Sequence, residues 1–247
     1  MKRTVLILFL AITACATTSG PRVNKAKMAE GYYMKGYSFF QEGKYELAWA
    51  EFNRSIQADS SYKQSYYMMG IICQYREQYD LAVVNFKEAV DRDPNYSEAY
   101  NAMGTSYSKQ KKWKEALNAY HKALENPLYT TPHITYVNIA RVYMEQRDYG
   151  KAVEAYRDAK RYSKQDFILY ELGMALFEAG RVKEAIKEYQ EALQMAPQNA
   201  LVRYRLGVAL LRDGNKKAAL DEFKKAAELA PGSEVALQAK DYIRTLR

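Results

Sequence analysis

The chain has 247 residues, 48% of them hydrophobic, and its 37 basic and 29 acidic side chains give a formal net charge of +8. Basic and acidic residues alternate, as in Lys183-Glu184 and Lys187-Glu188, which is typical of solvated helix faces and argues against a nucleic-acid-binding protein. This length is large for one compact core, whereas a repeat array has no single core to fill.

The first fourteen residues have the pattern of an export signal. Lys2 and Arg3 precede the apolar run Val5–Ile12, and the small residues Thr13 and Ala14 follow it. The run is far shorter than the ~20 apolar residues that span a bilayer. We therefore interpret residues 1–14 as a signal peptide. Two kinds of signal fit: a lipoprotein signal, in which the next residue, Cys15, is modified, or an ordinary secretory signal, in which Cys15 is incidental.

The sequence Ile12-Thr13-Ala14-Cys15 resembles the bacterial lipobox. This resemblance implies cleavage before Cys15 and a lipid (palmitate-type acyl chains) on its thiol, which would leave Cys73 without a disulfide partner. Ala16, where inner-membrane lipoproteins carry aspartate, favours the outer membrane, with the protein facing the periplasm. More than one acyl chain makes such an anchor stable. Residues 15–25 are small and polar, and we expect a flexible tether.

Residues 26–232 repeat a unit of about 34 residues. A small residue marks the first half of each unit, an alanine marks the second half, and an aromatic residue follows that alanine by four. The glycines at 34-residue spacing are Gly36, Gly70 and Gly104, then Gly173 and Gly207; the alanines are Ala48, Ala82, Ala116, Ala152, Ala185 and Ala219. Unit four has Ala140 in the glycine position. A non-repeating helical bundle, the alternative fold, would not keep this register through six units.

Within a unit, apolar residues recur at spacings of three and four, break at a short polar turn, and resume, which predicts two antiparallel helices. In unit three the absent side chain of Gly104 leaves space into which Tyr120 can pack. A pair this short cannot bury its apolar face alone. The pattern resembles the tetratricopeptide repeat, which implies an all-α right-handed solenoid of six helical pairs. Residues 233–247 predict a polar-backed capping helix, with Ser233 as its N-cap.

In tetratricopeptide repeats the first helix of each pair lines the concave side. With the glycine as reference, that side holds the residues three before it and one, four and five after it. The aromatic residues that this register assigns to a partner-binding groove are Tyr33, Tyr37, Phe40, Tyr67, Tyr75, Tyr170, Phe177 and Tyr204. Units three and four are more polar there. Aromatic residues are enriched where protein partners bind, so we expect an apolar or aromatic partner segment, held mainly by units one and two.

The alternative for these residues is core packing, if the register is shifted by one or two positions. In the preferred register Tyr37 and Tyr67 point away from the inter-helix packing. That packing is made by Tyr32, Gly36, Tyr66 and Gly70. A double alanine substitution of Tyr37 and Tyr67 should then abolish partner function without unfolding the chain.

No set of residues in the sequence has the pattern of an active site. There are two histidines, no metal-binding His or Cys spacing, no nucleophile elbow and no glycine-rich phosphate loop. We therefore expect no enzyme activity, no cofactor, no metal and no small-molecule substrate.

The connection between units three and four is enlarged by two residues and carries two prolines, in Asn126-Pro127-Leu128-Tyr129-Thr130-Thr131-Pro132. Taken alone, it could be a neutral loop insertion. Together with the lipobox and six repeats, it resembles the type IV pilus pilotins of the PilF, PilW and Tgl group. That resemblance implies a lipoprotein that promotes outer-membrane assembly and multimerisation of the pilus secretin, and hence motility. The alternative is a scaffold lipoprotein for envelope enzymes or for outer-membrane-protein assembly.

Overall fold

The computed structural model describes residues 24–246, which form thirteen α-helices and no β-strand. The helices are paired in sequence, and each pair is one predicted unit. The pairs are α1 (Lys25–Gln41) with α2 (Tyr45–Ala58), α3 (Lys63–Tyr75) with α4 (Tyr79–Arg92), α5 (Ser97–Lys109) with α6 (Trp113–Leu124), α7 (Pro132–Glu145) with α8 (Tyr149–Tyr162), α9 (Asp166–Glu178) with α10 (Val182–Met195), and α11 (Ala200–Arg212) with α12 (Lys216–Leu229). Helix α13 (Glu234–Leu246) follows. The all-α array of six pairs and a final helix is confirmed.

The helices pack in the order of the chain. Each first helix packs on the second helix of its own unit, and that second helix packs on the first helix of the next unit. Each unit therefore contacts chiefly its sequence neighbours, as in a solenoid. No helix in residues 24–246 combines the length and the apolar character that crossing a membrane requires.

The turn inside each pair has one construction in all six units. The residue seven after the reference position has a positive φ, between 57° and 87°. It is glycine in units one, five and six, and Glu77, Lys111 or Arg147 in the others. The next amide donates to a carbonyl five residues back over 2.8–2.9 Å, which closes a Schellman-type helix end in each unit.

The predicted fit between glycine and ring is confirmed. A Cβ atom placed on Gly104 would lie 2.6 Å from the ring of Tyr120, and the other four reference glycines face the ring of their own second helix at 2.5–2.8 Å. Unit four accommodates the methyl group of Ala140, which is fully buried beside the almost fully buried Tyr156. Because these contacts leave no room for a larger side chain, they set how closely the two helices of a unit approach.

The buried apolar residues form one long cluster and three short ones. The long cluster runs without interruption from Ala116 to Ala239. From unit one to the first helix of unit three, the clustered residues form three separate groups of five, four and three, which contain Phe52, Phe86 and Ala89 respectively. The apolar core is therefore more continuous in the C-terminal half of the described chain.

The last helix caps the array as expected. Ser233 is the N-cap of α13, since its Oγ accepts the Ala236 amide at 3.2 Å. Tyr242 stacks on the buried Phe223 of α12 with ring centroids 4.6 Å apart and planes 7° from parallel. Helix α13 thereby covers the apolar end that α12 would otherwise expose.

Candidate protein-binding surface

A cavity lies on the first-helix side of units four to six, where the register predicts a groove. Its volume is about 640 Å³, and its apolar lining includes Met144, Tyr170, Met174, Phe177 and Val208. All four groove positions of unit five line this cavity, including the predicted site residues Tyr170 and Phe177. We call it the C-terminal cavity.

The polar lining of the C-terminal cavity is partly fixed by hydrogen bonds. Arg141 pairs with Glu171 across units four and five, with Nε donating to Oε2 at 3.0 Å. The Tyr156 hydroxyl donates to the same oxygen at 2.6 Å, and burial together with the Glu171 charge raises the pKa of Tyr156. Tyr156 therefore stays protonated and holds Glu171 in place. The remaining charges, on Arg147, Arg205, Glu145 and Glu178, balance.

A continuous series of aromatic rings covers the first-helix side of units one and two. Tyr37 stacks between Tyr33 and Phe40, at centroid distances of 6.1 and 6.5 Å. Phe40 and Tyr45 both contact Tyr75, at 5.7 and 5.6 Å, and Tyr62 closes on Tyr33 at 5.4 Å. We call these six residues the aromatic face: Tyr33, Tyr37, Phe40, Tyr45, Tyr62 and Tyr75. Tyr75 is 64% exposed and Tyr37 is 36% exposed, so a partner can reach the face.

The predicted groove position three before the glycine proves to be shared between the groove and the core. Tyr33, Tyr67, Tyr170 and Tyr204 each pack on the ring that fills the glycine space of their unit, at 5.7–6.2 Å. All four are half-buried. The two alternatives, groove and core, therefore do not exclude each other at this position, since one side of the ring packs inward and the other faces the groove.

Tyr67 is more enclosed than the register indicates. Its ring also contacts Tyr96 of the next unit at 5.3 Å, and burial raises the pKa of its hydroxyl to about 12. Tyr66, assigned from the sequence to inter-helix packing, packs on the cluster that contains Ala89; it also lies under the Arg92 guanidinium at 3.9 Å and accepts its hydrogen bond. A Tyr67 substitution would therefore disturb packing between units two and three.

Sequence reasoning missed Tyr45 and Tyr62, which begin or precede helices outside the groove register. The available signal was the recurrence of an aromatic at the first position of the second helix, as Tyr45, Tyr79, Trp113 and Tyr149. Cys15, the predicted lipidation site, lies outside the described residues. Among residues 24–246 no group of three or more His, Cys, Asp or Glu is placed to hold a metal ion.

Comparisons with solved structures agree with this architecture. The fold is similar to PilF of Pseudomonas aeruginosa, with a TM-score of 0.74, 19% identity, and coverage of 88% of this chain and 98% of that one. It is equally similar to PilW, described as a widely conserved type IV pilus biogenesis factor, with a TM-score of 0.74, 20% identity and coverage of 86% and 98%. The fold is also similar to YrrB, described as a tetratricopeptide-repeat protein with an unusual peptide-binding site. The TM-score is 0.63 at 21% identity, and the match covers 77% of this chain and 97% of YrrB.

Among curated proteins, the human homolog of intraflagellar transport protein 88 is 31% identical over 99 residues, which are 38% of this chain. The match spans only 12% of the length of that relative. Models of the tetratricopeptide repeat match residues 29–62, 63–96, 85–118, 137–200 and 170–234, so the repeat accounts for most of the described residues. The chain is a tetratricopeptide-repeat protein.

Proposed function

We propose that this protein is a non-enzymatic lipoprotein of type IV pilus biogenesis, a pilotin that promotes outer-membrane assembly of the pilus secretin. The observation that carries the proposal is the two-way coverage with PilF and PilW, in which nearly all of each chain aligns. An array with the same extent, and with the enlarged connection at Asn126–Pro132, favours this class among the many proteins built from the repeat.

The aromatic face is the proposed site for the secretin segment. Its rings supply a large apolar area, and their hydroxyls can still bond to a peptide backbone. Buried aromatic anchors often cost ~2 kcal/mol or more when truncated, about a thirtyfold loss of affinity. Tyr37 and Tyr75 are the residues to test, because both are exposed and neither fills a glycine space.

The decisive experiment compares cells that carry the wild-type gene, a deletion, and Tyr37→Ala with Tyr75→Ala. We expect the deletion and the double substitution to remove heat-stable secretin multimers from the outer membrane, while monomeric secretin and other envelope proteins stay normal. Leu237→Ala, on an exposed residue of α13, is the matched control. Normal multimers in the deletion strain would reject the pilotin function.

A membrane anchor at Cys15 is part of the same proposal. Cys15→Ala should prevent acylation, so the protein should move from the outer-membrane fraction to the soluble fraction of the periplasm. Labelling with a palmitate analogue and membrane fractionation measure the two effects separately. Unchanged labelling and fractionation in this variant would refute the anchor without affecting the fold.

A scaffold for envelope enzymes is the second candidate, and one feature favours it. The aromatic face and the C-terminal cavity are separated by unit three, whose groove positions carry Asn101, Thr105, Ser108 and Lys109. An aromatic surface and a mixed polar and apolar cavity, with a polar unit between them, could hold two partners at once. Loss of envelope integrity in the deletion strain, with secretin multimers intact, would select this function.

A further inference from the structure

The connection between α6 and α7 displays an apolar side chain to solvent. Leu128 in this connection is 83% exposed, more than any other large hydrophobic residue in the described chain. We call residues 126–131 the insertion loop. The flanking helices end at Leu124 and begin at Pro132, so Leu128 belongs to neither helix.

The near side of the insertion loop is fixed by Asn126. Its Nδ2 donates to the Asn95 carbonyl of the preceding connection at 2.9 Å, and its Oδ1 accepts the Leu128 amide at 3.0 Å. Its carbonyl accepts the Tyr129 amide at 3.1 Å. The backbone on either side of the Leu128 side chain is therefore held in a closed turn that is attached to unit three.

The far side is fixed by a buried chain of polar groups. Tyr129 is 9% exposed, and its hydroxyl lies 3.1 Å from Thr135 Oγ1. Thr135 donates to Asn101 Oδ1 at 3.1 Å, so the Tyr129 hydroxyl must be the donor to Thr135. Asn138 donates to the same Asn101 oxygen at 3.0 Å. Tyr129 thus attaches the loop to both α5 and α7.

The two earlier connections, 59–62 and 93–96, are closed by the same turn, in which Asp59 and Asp93 take the place of Asn126. At the position of Leu128 those connections carry the polar residues Ser61 and Asn95. The insertion loop therefore differs in its exposed leucine and in the buried hydroxyl of Tyr129. A large apolar side chain that an ordered turn holds in water is already preorganised for binding.

Beside Leu128 lies a polar cavity of about 540 Å³ at the beginnings of α3 and α5. Three of its lining residues are charged, namely Lys63, Asp93 and Glu98. Lys63 pairs with Asp93 and lies over the Tyr96 ring at 4.9 Å. The charges of Lys63 and Asp93 cancel, so the exposed carboxylate of Glu98 gives the cavity a net negative charge.

We propose that the insertion loop and this cavity form a second docking surface, which binds a partner-protein segment carrying an apolar side chain next to a lysine or arginine. The apolar side chain covers Leu128, and the cation enters the cavity and pairs with Glu98. The acidic balance argues against a lipid surface, whose headgroups are neutral or anionic. None of the residues involved belongs to the aromatic face, so the two surfaces can be occupied together.

The test places a photo-reactive amino acid at position 128 of the full-length chain in the cells that produce it, with matched chains labelled at Leu237 and Tyr75. We expect position 128 to give a defined protein adduct that Leu237 does not give. The partner protein identified from this adduct, purified on its own, should bind Leu128→Ser at least tenfold more weakly than it binds the wild type. It should bind Glu98→Gln several-fold more weakly, with a reduced dependence on salt. Both variants should keep the wild-type melting temperature, because both residues are exposed.

The proposal is overturned if position 128 gives no adduct above the Leu237 control, or if the adduct is lipid or a second copy of the chain. It is also overturned if the purified partner binds Leu128→Ser and Glu98→Gln as tightly as wild type. The secretin function is decided separately by what position Tyr75 captures. A docking surface at Leu128 stands whether or not that protein is a secretin.

Discussion

At the scale of single residues, the five reference glycines determine how closely the paired helices approach. Each faces an aromatic ring at a distance that a methyl group could occupy only if the ring moved. Unit four holds Ala140 at this position, and its ring, Tyr156, is almost fully buried and bonded to Glu171.

We predict that Gly104→Ala lowers the free energy of unfolding by roughly 1–3 kcal/mol, the usual cost of overpacking a core. Gly31→Ala is the matched control, since a Cβ there meets nothing within 4 Å in the middle of α1. That change should stabilise the protein by up to ~1 kcal/mol, because alanine is the better helix former. Urea unfolding of both variants measures the difference, and equal effects would show that the ring at Tyr120 moves freely.

The turns show where residue patterns stop predicting structure. Gly43, Gly180 and Gly214 have a positive φ, which their residue type indicates in the sequence, because glycine adopts this conformation without strain. Glu77, Lys111 and Arg147 occupy the same conformation without any such mark. Their backbone is set by the helix packing on both sides, so only the repeat register could have indicated it.

At the scale of elements, α13 replaces the unit that would otherwise follow α12. Its Tyr242 is the stacking partner of Phe223 and also lies 6.1 Å from Tyr204, so one ring covers two residues of unit six. The opposite side of α13 is polar apart from Leu237. The helix thus ends the apolar core rather than extending it.

We predict that removal of residues 234–247 lowers the melting temperature by several degrees and causes self-association, because the Phe223 surface is then exposed. Thermal unfolding and light scattering measure the two effects. The control is Leu237→Ser in the intact chain, which should change neither. A truncated protein that stays monomeric and equally stable would mean that unit six is self-sufficient.

The elements themselves were largely predictable, and the site only in part. Six pairs and a cap follow from a register that the alanines keep from Ala48 to Ala219, a separation of 171 positions. The groove of unit five followed from the same register, because all its positions lie on one helix. The aromatic face did not follow completely, since Tyr45 and Tyr62 reach it from a second helix and from a connection. The enclosure of Tyr67 depends on Tyr96 in the next unit, which a pattern within one unit does not contain.

At the scale of the whole molecule, the charges that alternate along the sequence also connect neighbouring units. Lys160 of α8 donates to Glu188 and Glu191 of α10 at 2.8 and 2.6 Å, and Arg157 donates to Glu184 at 2.9 Å. All of these groups are at least partly exposed, so each pair contributes little alone. Together, these ion pairs add a small stabilisation to the C-terminal half, where the apolar core is already continuous.

The uneven division of the core has a consequence for motion. Where each unit is supported only by its neighbours, an end with small, separate clusters opens more often than a region whose cluster is continuous. We therefore predict that amide hydrogens of α1 to α4 exchange with deuterium faster than those of α7 to α12, measured by mass spectrometry at neutral pH. Uniform exchange along the array would contradict this prediction. If exchange is faster in α1 to α4, the aromatic face lies on the part of the array that opens most often. A bound segment would slow exchange there, because it would join two clusters that the free protein leaves apart.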